Sequence, residues 1–182
     1  MNGKQLSEFV SEFRNKYVGK QIEIQEIKKL LNDNYQAKIN DSVENKNIVS
    51  IDIKPVKMQD HEKNICINRL NIITRKGIIA YLVVEQEFTS VMVNSVRQRY
   101  YFDKENELFV SSVKMDENMI LYNLCYETMI KYNGEFFFQD RYSKKEEAIS
   151  FNDAIFAQII NDKTIEEIKE IYDSQEEVEE TI

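Results

Sequence analysis

The chain has 182 residues, 42% of them hydrophobic, with 10 Phe and 10 Tyr but only 4 Gly and 1 Pro. This is enough apolar and aromatic material for a packed core, which excludes a wholly disordered chain, and the shortage of turn formers predicts mostly regular elements. The net charge is −8, and its excess is C-terminal: residues 1–139 hold 19 basic and 19 acidic residues, whereas residues 140–182 hold 5 basic and 13 acidic.

Residues 5–17, "QLSEFVSEFRNKY", space Leu6, Phe9, Val10, Phe13 and Tyr17 as one helical face, with Gly19 placed to end it. "KQIEI" reads as a short strand, and "QEIKKLLNDNY" as a second helix built on Ile27, Leu30 and Leu31. Residues 36–47 are polar and read as a loop. From Ile48 the period changes to two. "IVSIDIKPV" alternates, and Pro55 marks an edge or an end. "NICINRLNIIT", "GIIAYLVVEQEF", "SVMVNSVRQRYYF" and "NELFVSSVKM" continue an antiparallel meander of four or five strands, with "DKEN" as a hairpin turn. The stretch 116–134 reads as a central helix, opened by Asp116 and closed by Gly134, with Ile120, Leu121, Leu124, Cys125, Thr128 and Met129 as its apolar face. "GEFFFQDRYS" reads as a short strand. Ser143 with Glu146, and Thr164 with Glu167, fit capping boxes that start helices over 144–161 and 164–174. In the last helix Ile165, Ile168 and Tyr172 form one apolar stripe.

The expected fold is therefore α+β: an N-terminal helical pair, a central antiparallel β-meander, and C-terminal helices packed on the sheet. The expected division is a segment 1–46, a body 47–174, and a loose acidic tail 175–182. With no run of 18 apolar residues, no membrane-spanning helix is expected. The start "MNGKQLSEFV" lacks a signal-peptide apolar stretch, and Cys66 and Cys125 read as free buried thiols, so a reducing cytoplasm is expected.

Little in the sequence fixes a chemistry. The single histidine, His61, reads as an exposed loop residue. Glycine-built phosphate cradles and zinc-type cysteine pairs are absent from the text. No catalytic residue, metal ligand or cofactor is assigned. One enzymatic alternative is a Mg²⁺-dependent nuclease. It would use Asp52 and Lys54 on one strand face, with Asp41 or Glu44 as a further carboxylate.

Two charged groups are candidate binding sites. Lys54, Lys57, Lys63, Arg69, Arg75, Lys76, Arg97 and Arg99 fall within 54–104, where nine basic residues stand against five acidic ones. With Tyr101 and Tyr100 beside them, such residues can hold phosphates and stack bases. At the other end, Glu166, Glu167, Glu170, Asp173, Glu176 and Glu177 lie in the acidic terminus. Clustered carboxylates can compete for arginines that otherwise hold phosphate.

The segment "LSEFVSEFRNKYVGKQIEIQEIKKLLNDNY" looks like the opening of a winged-helix domain, and "CINRLN" is similar to a loop segment of small bacterial winged-helix proteins. In general character the chain also resembles the phage-encoded inhibitors known as anti-CRISPR proteins. This rests on the Asn/Ile/Lys/Glu-rich text "LLNDNYQAKINDSVENKN" and the acidic end "DSQEEVEETI". That resemblance implies a non-catalytic phage or mobile-element protein acting in the host cytoplasm. Its partner would be a Cas9-type effector, its guide RNA, or the channel that holds nucleic acid by the backbone. The alternative is a protein that binds DNA or RNA through the basic 54–104 surface.

Overall fold

The computed structural model describes residues 3–21, 25–26, 29, 37–39, 48–57, 65–88, 95–115 and 125–180, and side chains for 8–21, 25–26, 29, 48–50, 69–87, 96–115 and 125–174. Its elements are helix α1 (Gly3–Lys16), strands β1 (Ala37–Ile39), β2 (Ile48–Lys57), β3 (Ile65–Arg75), β4 (Ile78–Phe88), β5 (Ser95–Phe102), β6 (Glu107–Lys114), β7 (Tyr126–Tyr132) and β8 (Glu135–Tyr142), then helices α2 (Lys145–Asn161) and α3 (Ile165–Glu180). The strands form one antiparallel sheet in chain order, seven long strands with the three-residue β1 at an edge.

Each face of this sheet is covered by helices over part of its width. On one face α1 lays Phe9, Val10 and Phe13, with Tyr17 and Val18 after it, against Leu70, Ile72, Leu82 and Val84. On the other, Ile155 and Ile159 of α2 and Ile165, Ile168 and Tyr172 of α3 meet Ile73, Tyr81, Val83, Tyr101, Val110 and Ile130. This explains the unbroken apolar run "YLVV": Tyr81, Leu82, Val83 and Val84 are all buried because β4 is covered on both sides. Each fully buried aliphatic side chain contributes roughly 1.5–3 kcal/mol, so α2 and α3 are held mainly by their isoleucines.

The fold corrects several expectations. The N-terminal helical pair is not formed among the described residues: a single helix, α1, stands before the sheet. After Tyr17 the chain turns at Gly19 (φ +94°), whose N–H donates to the Ile79 carbonyl at 2.8 Å, while the Ile79 N–H donates to Lys20 at 2.8 Å. The backbone is thus tied to the start of β4; of the strand expected at "KQIEI", Gln21 bridges Ile78, and residues 22–24 lie outside the described residues. Most of the second helix expected over 25–35 lies outside the described residues, as does His61; of the loop expected over 36–47, Ala37–Ile39 instead form β1, paired with β2, and the rest lies outside the described residues.

The central helix expected over 116–134 is also overturned. Its second half is strand β7, paired with β6 from Leu108↔Tyr132 to Lys114↔Tyr126 and with β8 beyond a turn at Asn133 and Gly134. Both turn residues have positive φ, +50° and +83°, as a two-residue hairpin requires. Gly134 therefore closes a hairpin, not a helix. The meander then runs through eight strands instead of four or five. The turn expected at 103–106 does form: Asp103 Oδ1 accepts from the N–H groups of Glu105 (2.8 Å) and Asn106 (2.6 Å).

At the C-terminal helices one cap holds and one fails. Thr164 Oγ1 accepts the Glu167 N–H at 3.1 Å, while the residue capping α2 is Lys144, which makes no side-chain cap bond. α3 extends to Glu180, past the Asp173 region where the expected helix ends and the loose tail begins.

Candidate functional site

Among the described side chains, the basic residues do not form one exposed patch. Arg69, Arg97 and Arg99 do converge, because β3 and β5 flank β4 and the three side chains share the sheet face under α2. The antiparallel register sets Glu85 opposite both Arg69 and Arg99, and Glu87 opposite Arg97. Opposite charges so paired attract across the strands. Arg99 is 5% exposed and Glu85 7%, and Arg99 Nε donates to Glu85 Oε2 at 2.9 Å. Its Nη1 donates to Asn152 Oδ1 at 2.9 Å and to Asp153 Oδ1 at 2.6 Å, both on α2. The guanidinium also lies 4.6 Å over the Phe156 ring. Burial works against this charge, but Tyr101, Glu85 and the hydrogen bond to Asp153 outweigh it and hold Arg99 above its ordinary range.

Arg97 Nη1 donates to both carboxylate oxygens of the same Asp153, at 2.8 and 3.0 Å, and Arg97 Nη2 reaches Glu87 at 3.4 Å. Arg69 approaches Glu85 at 3.7 Å. Asn152, fully buried, donates to the Val110 carbonyl and to Ser112 Oγ, both at 3.3 Å, and Ser112 donates to the Ala148 carbonyl at 2.9 Å. The result is a polar seam joining α2 to the sheet.

Arg75 serves a different end. Its Nη1 donates to the Ile160 carbonyl at 2.8 Å, and its Nη2 to the Ile159 carbonyl and to Lys163 at 3.1 Å. It thus caps the C-terminus of α2, where a cation also opposes the helix dipole. Lys76 is exposed in the β3–β4 turn with φ +54°. Lys54 and Lys57 lie on β2 with side chains outside the described set, and Lys63 is outside the described residues altogether. Asp52 and Lys54 share β2 at the alternate spacing expected of a face, but Asp41 and Glu44 fall outside the described residues.

The acidic helix is anchored as the stripe predicts, with Ile165 and Ile168 fully buried and Tyr172 8% exposed. Its carboxylates divide. Glu167 pairs with Lys163 at 3.5 Å and Asp173 with Lys169 at 2.7 Å. Glu166 is exposed and accepts from Asn106 Nδ2 at 2.8 Å, which fastens the start of α3 to the β5–β6 hairpin. Glu170 is exposed, and Glu176 and Glu177 lie further along the same helix.

Beside the arginine seam is a cavity of about 290 Å³ between β2–β5 and the C-terminal half of α2. Ser50, Asn71, Glu85, Glu87 and the three arginines give it polar walls, and Ile48, Phe156 and Ile160 an apolar one. Sequence reading missed Ser50, Asn71, Asn152 and Asp153. It missed the role of Glu85 too, although Glu85, Glu87, Arg97 and Arg99 alternate on neighbouring strands. A second, larger groove of about 670 Å³ lies between α1 and β4–β6, with Arg14, Gln86, Tyr100 and Phe102 on its walls. No group of three or more metal-ligating side chains occurs among the described residues. No described helix is long and apolar enough to cross a membrane. Comparison with protein-family models, with curated proteins and with solved structures gave no match to this chain.

Proposed function

We propose that the chain is a non-catalytic phage or mobile-element protein that binds and inhibits a nucleic-acid-handling effector of the host, of the Cas9 type, through the outward carboxylates of α3. The observation that carries this reading is the anchoring of that helix. Ile165, Ile168 and Tyr172 fix it to the sheet while Glu166 and Glu170 are exposed one turn apart, about 6 Å along the axis. Carboxylates on a fixed helix keep a spacing that an arginine-lined channel can meet, whereas loose ones act only as a screened charge cloud.

The competing reading, nucleic-acid binding by the basic stretch, has less support. Arg97 and Arg99 are taken up by Glu85, Glu87 and Asp153, and Arg75 by the end of α2. An arginine already paired and partly desolvated gains little by turning to a phosphate.

The test is binding of the full chain to a purified Cas9-type effector, with and without guide RNA and across a salt series. The expected outcome is a complex that weakens as salt rises and that duplex nucleic acid displaces. The double substitution Glu166→Lys with Glu170→Lys should weaken it about tenfold or more through like-charge contacts. No complex, or one indifferent to that variant, overturns the reading. A gel shift with DNA or RNA at about 50 mM salt favours the competing one.

A further inference from the structure

Half of the sheet's α1 side carries no helix among the described residues. The apolar cluster under α1 takes Leu70 and Ile72 of β3, Leu82 and Val84 of β4 and Phe102 of β5, and reaches no strand beyond β5. On β6 and β7 the side chains of this side alternate with Leu108, Val110 and Ile130, which are buried on the side of α2 and α3. The register sets one row across four strands: Tyr100 opposite Phe109, Phe109 opposite Lys131, and Lys131 opposite Phe136. The next row is Gln98, Ser111, Met129 and Gln139. Tyr100 and Phe109 stack at 4.5 Å, and both are only half-buried, as are Met129 and Lys131. Phe136 is 48% exposed; among the described residues Ile78 is the one other exposed large apolar side chain. The edge beside this row is open too. β8 ends the sheet, and Glu135, Phe136, Gln139, Asp140 and Arg141 along it are exposed. A long exposed edge is a template for pairing or packing with another chain.

We propose that this half-face is the contact between two copies of the chain, related by a twofold axis parallel to the strands and midway between β6 and β7. Such an axis lays each row on the same row of the second copy in reverse order. Phe136 then meets the second copy's Tyr100, and Lys131 meets its Phe109. The first is an aromatic pair and the second a cation over a ring, both attractive beyond their burial. Lys131 is the one charge in the two rows, and the reversal keeps the two copies of it apart.

The layer depth fits as well. Packed sheets lie about 10 Å apart and a helix is about 10–12 Å thick, so α1 shares a layer with the second copy's sheet. The same axis sets the second copy's β8 over β5, and its edge enters the groove of about 670 Å³ between α1 and β4–β6. One operation thus covers the half-face, the edge and the groove. Four strands about 4.8 Å apart and some eight residues long present roughly 500 Å² on each copy, before the contacts of β8 with α1 are added. The two copies together reach the ~1,000 Å² that a specific interface needs. This inference is independent of the partner read for α3, which lies on the opposite side of the sheet.

Sedimentation of the full chain over a concentration series through the micromolar range is the test. A monomer–dimer equilibrium is expected. Phe136→Asp should raise its dissociation constant about tenfold or more, as loss of a central aromatic contact does, and Lys131→Glu should weaken it in the same direction. Both side chains lie at the surface, so circular dichroism should show the sheet retained in either variant. Ile78→Asp, at a residue 45% exposed but on β4, and the double substitution Glu166→Lys with Glu170→Lys should leave the dimer unchanged. A monomer at every concentration, or a dimer indifferent to both Phe136→Asp and Lys131→Glu, overturns the proposal. So does a monomer whose Phe136→Asp variant no longer binds the Cas9-type effector, since the effector then occupies this face.

Discussion

Glu85 and Asp173 are both carboxylates in ion pairs, and burial separates their worth. Glu85 holds Arg99 in a site where their side chains are 9% and 6% exposed, while Asp173 and Lys169 are 38% and 39% exposed. Removing one partner of a buried pair leaves an uncompensated charge and costs about 3–5 kcal/mol, whereas an exposed pair is worth about 0–1 kcal/mol. Glu85→Ala should therefore lower the urea midpoint severely and Asp173→Ala hardly at all. Equal effects would mean that Arg99 reaches water once Glu85 is gone. The same contrast shows why the arginines were misjudged from sequence. Composition counts Arg97 and Arg99 as free cations, and only the register of β4 against β5 reveals that each faces a glutamate. The loop joining those strands does not fix that register by its residue types.

Elements whose signals are local were legible, and those needing a partner were not. The Thr164 cap and the Ile165, Ile168, Tyr172 stripe each lie within one helix, and both are found as read. The face Phe9, Val10, Phe13, Tyr17 of α1 is equally local. β7 was misread because Tyr126, Thr128 and Ile130 satisfy a period of two while Leu121, Leu124, Cys125 and Thr128 satisfy a helical one. Asn133-Gly134 decides the matter, since that pair is a strong hairpin signal when apolar strands flank it. The turn yields a clean prediction. A Cβ at Gly134 would meet no atom within 4 Å, so Gly134→Ala carries only the cost of φ +83°. That cost is about 1–2 kcal/mol, read as a shift in the thermal midpoint with the sheet's circular dichroism retained below it. A much larger loss would mean that the β7–β8 hairpin organises the sheet beyond its own turn.

The whole molecule puts its tyrosines where proton release opposes the fold. Burial raises Tyr81, Tyr100, Tyr101 and Tyr172 above the ordinary tyrosine range, and for Tyr81 and Tyr100 nearby Glu166 and Glu107 add to the effect. Tyr142 is pushed up to about 12, by burial first and then by Asp140. These residues are spread over β4, β5, β8 and α3, so they report on the sheet and its helical cover together. The unfolded chain releases these protons near the ordinary value of 10.0, while the folded chain still holds them. Above that point the unfolded state binds fewer protons than the native state, so stability falls as pH rises. The contribution is complete below pH 10 and is lost as pH climbs through the folded values, near 12 for Tyr142. Self-repulsion acts in the same direction, because a chain already at −8 gains further negative charge as lysines lose their protons. Tyrosinate absorbance should accordingly rise in a cooperative step that coincides with loss of sheet circular dichroism. Added salt should move that step to higher pH only to the extent that surface repulsion drives it, since buried rings are little screened. A single gradual titration with the sheet still intact would show that these rings open to solvent without global unfolding. The helices α2 and α3 would then breathe from the sheet independently of β4 and β5.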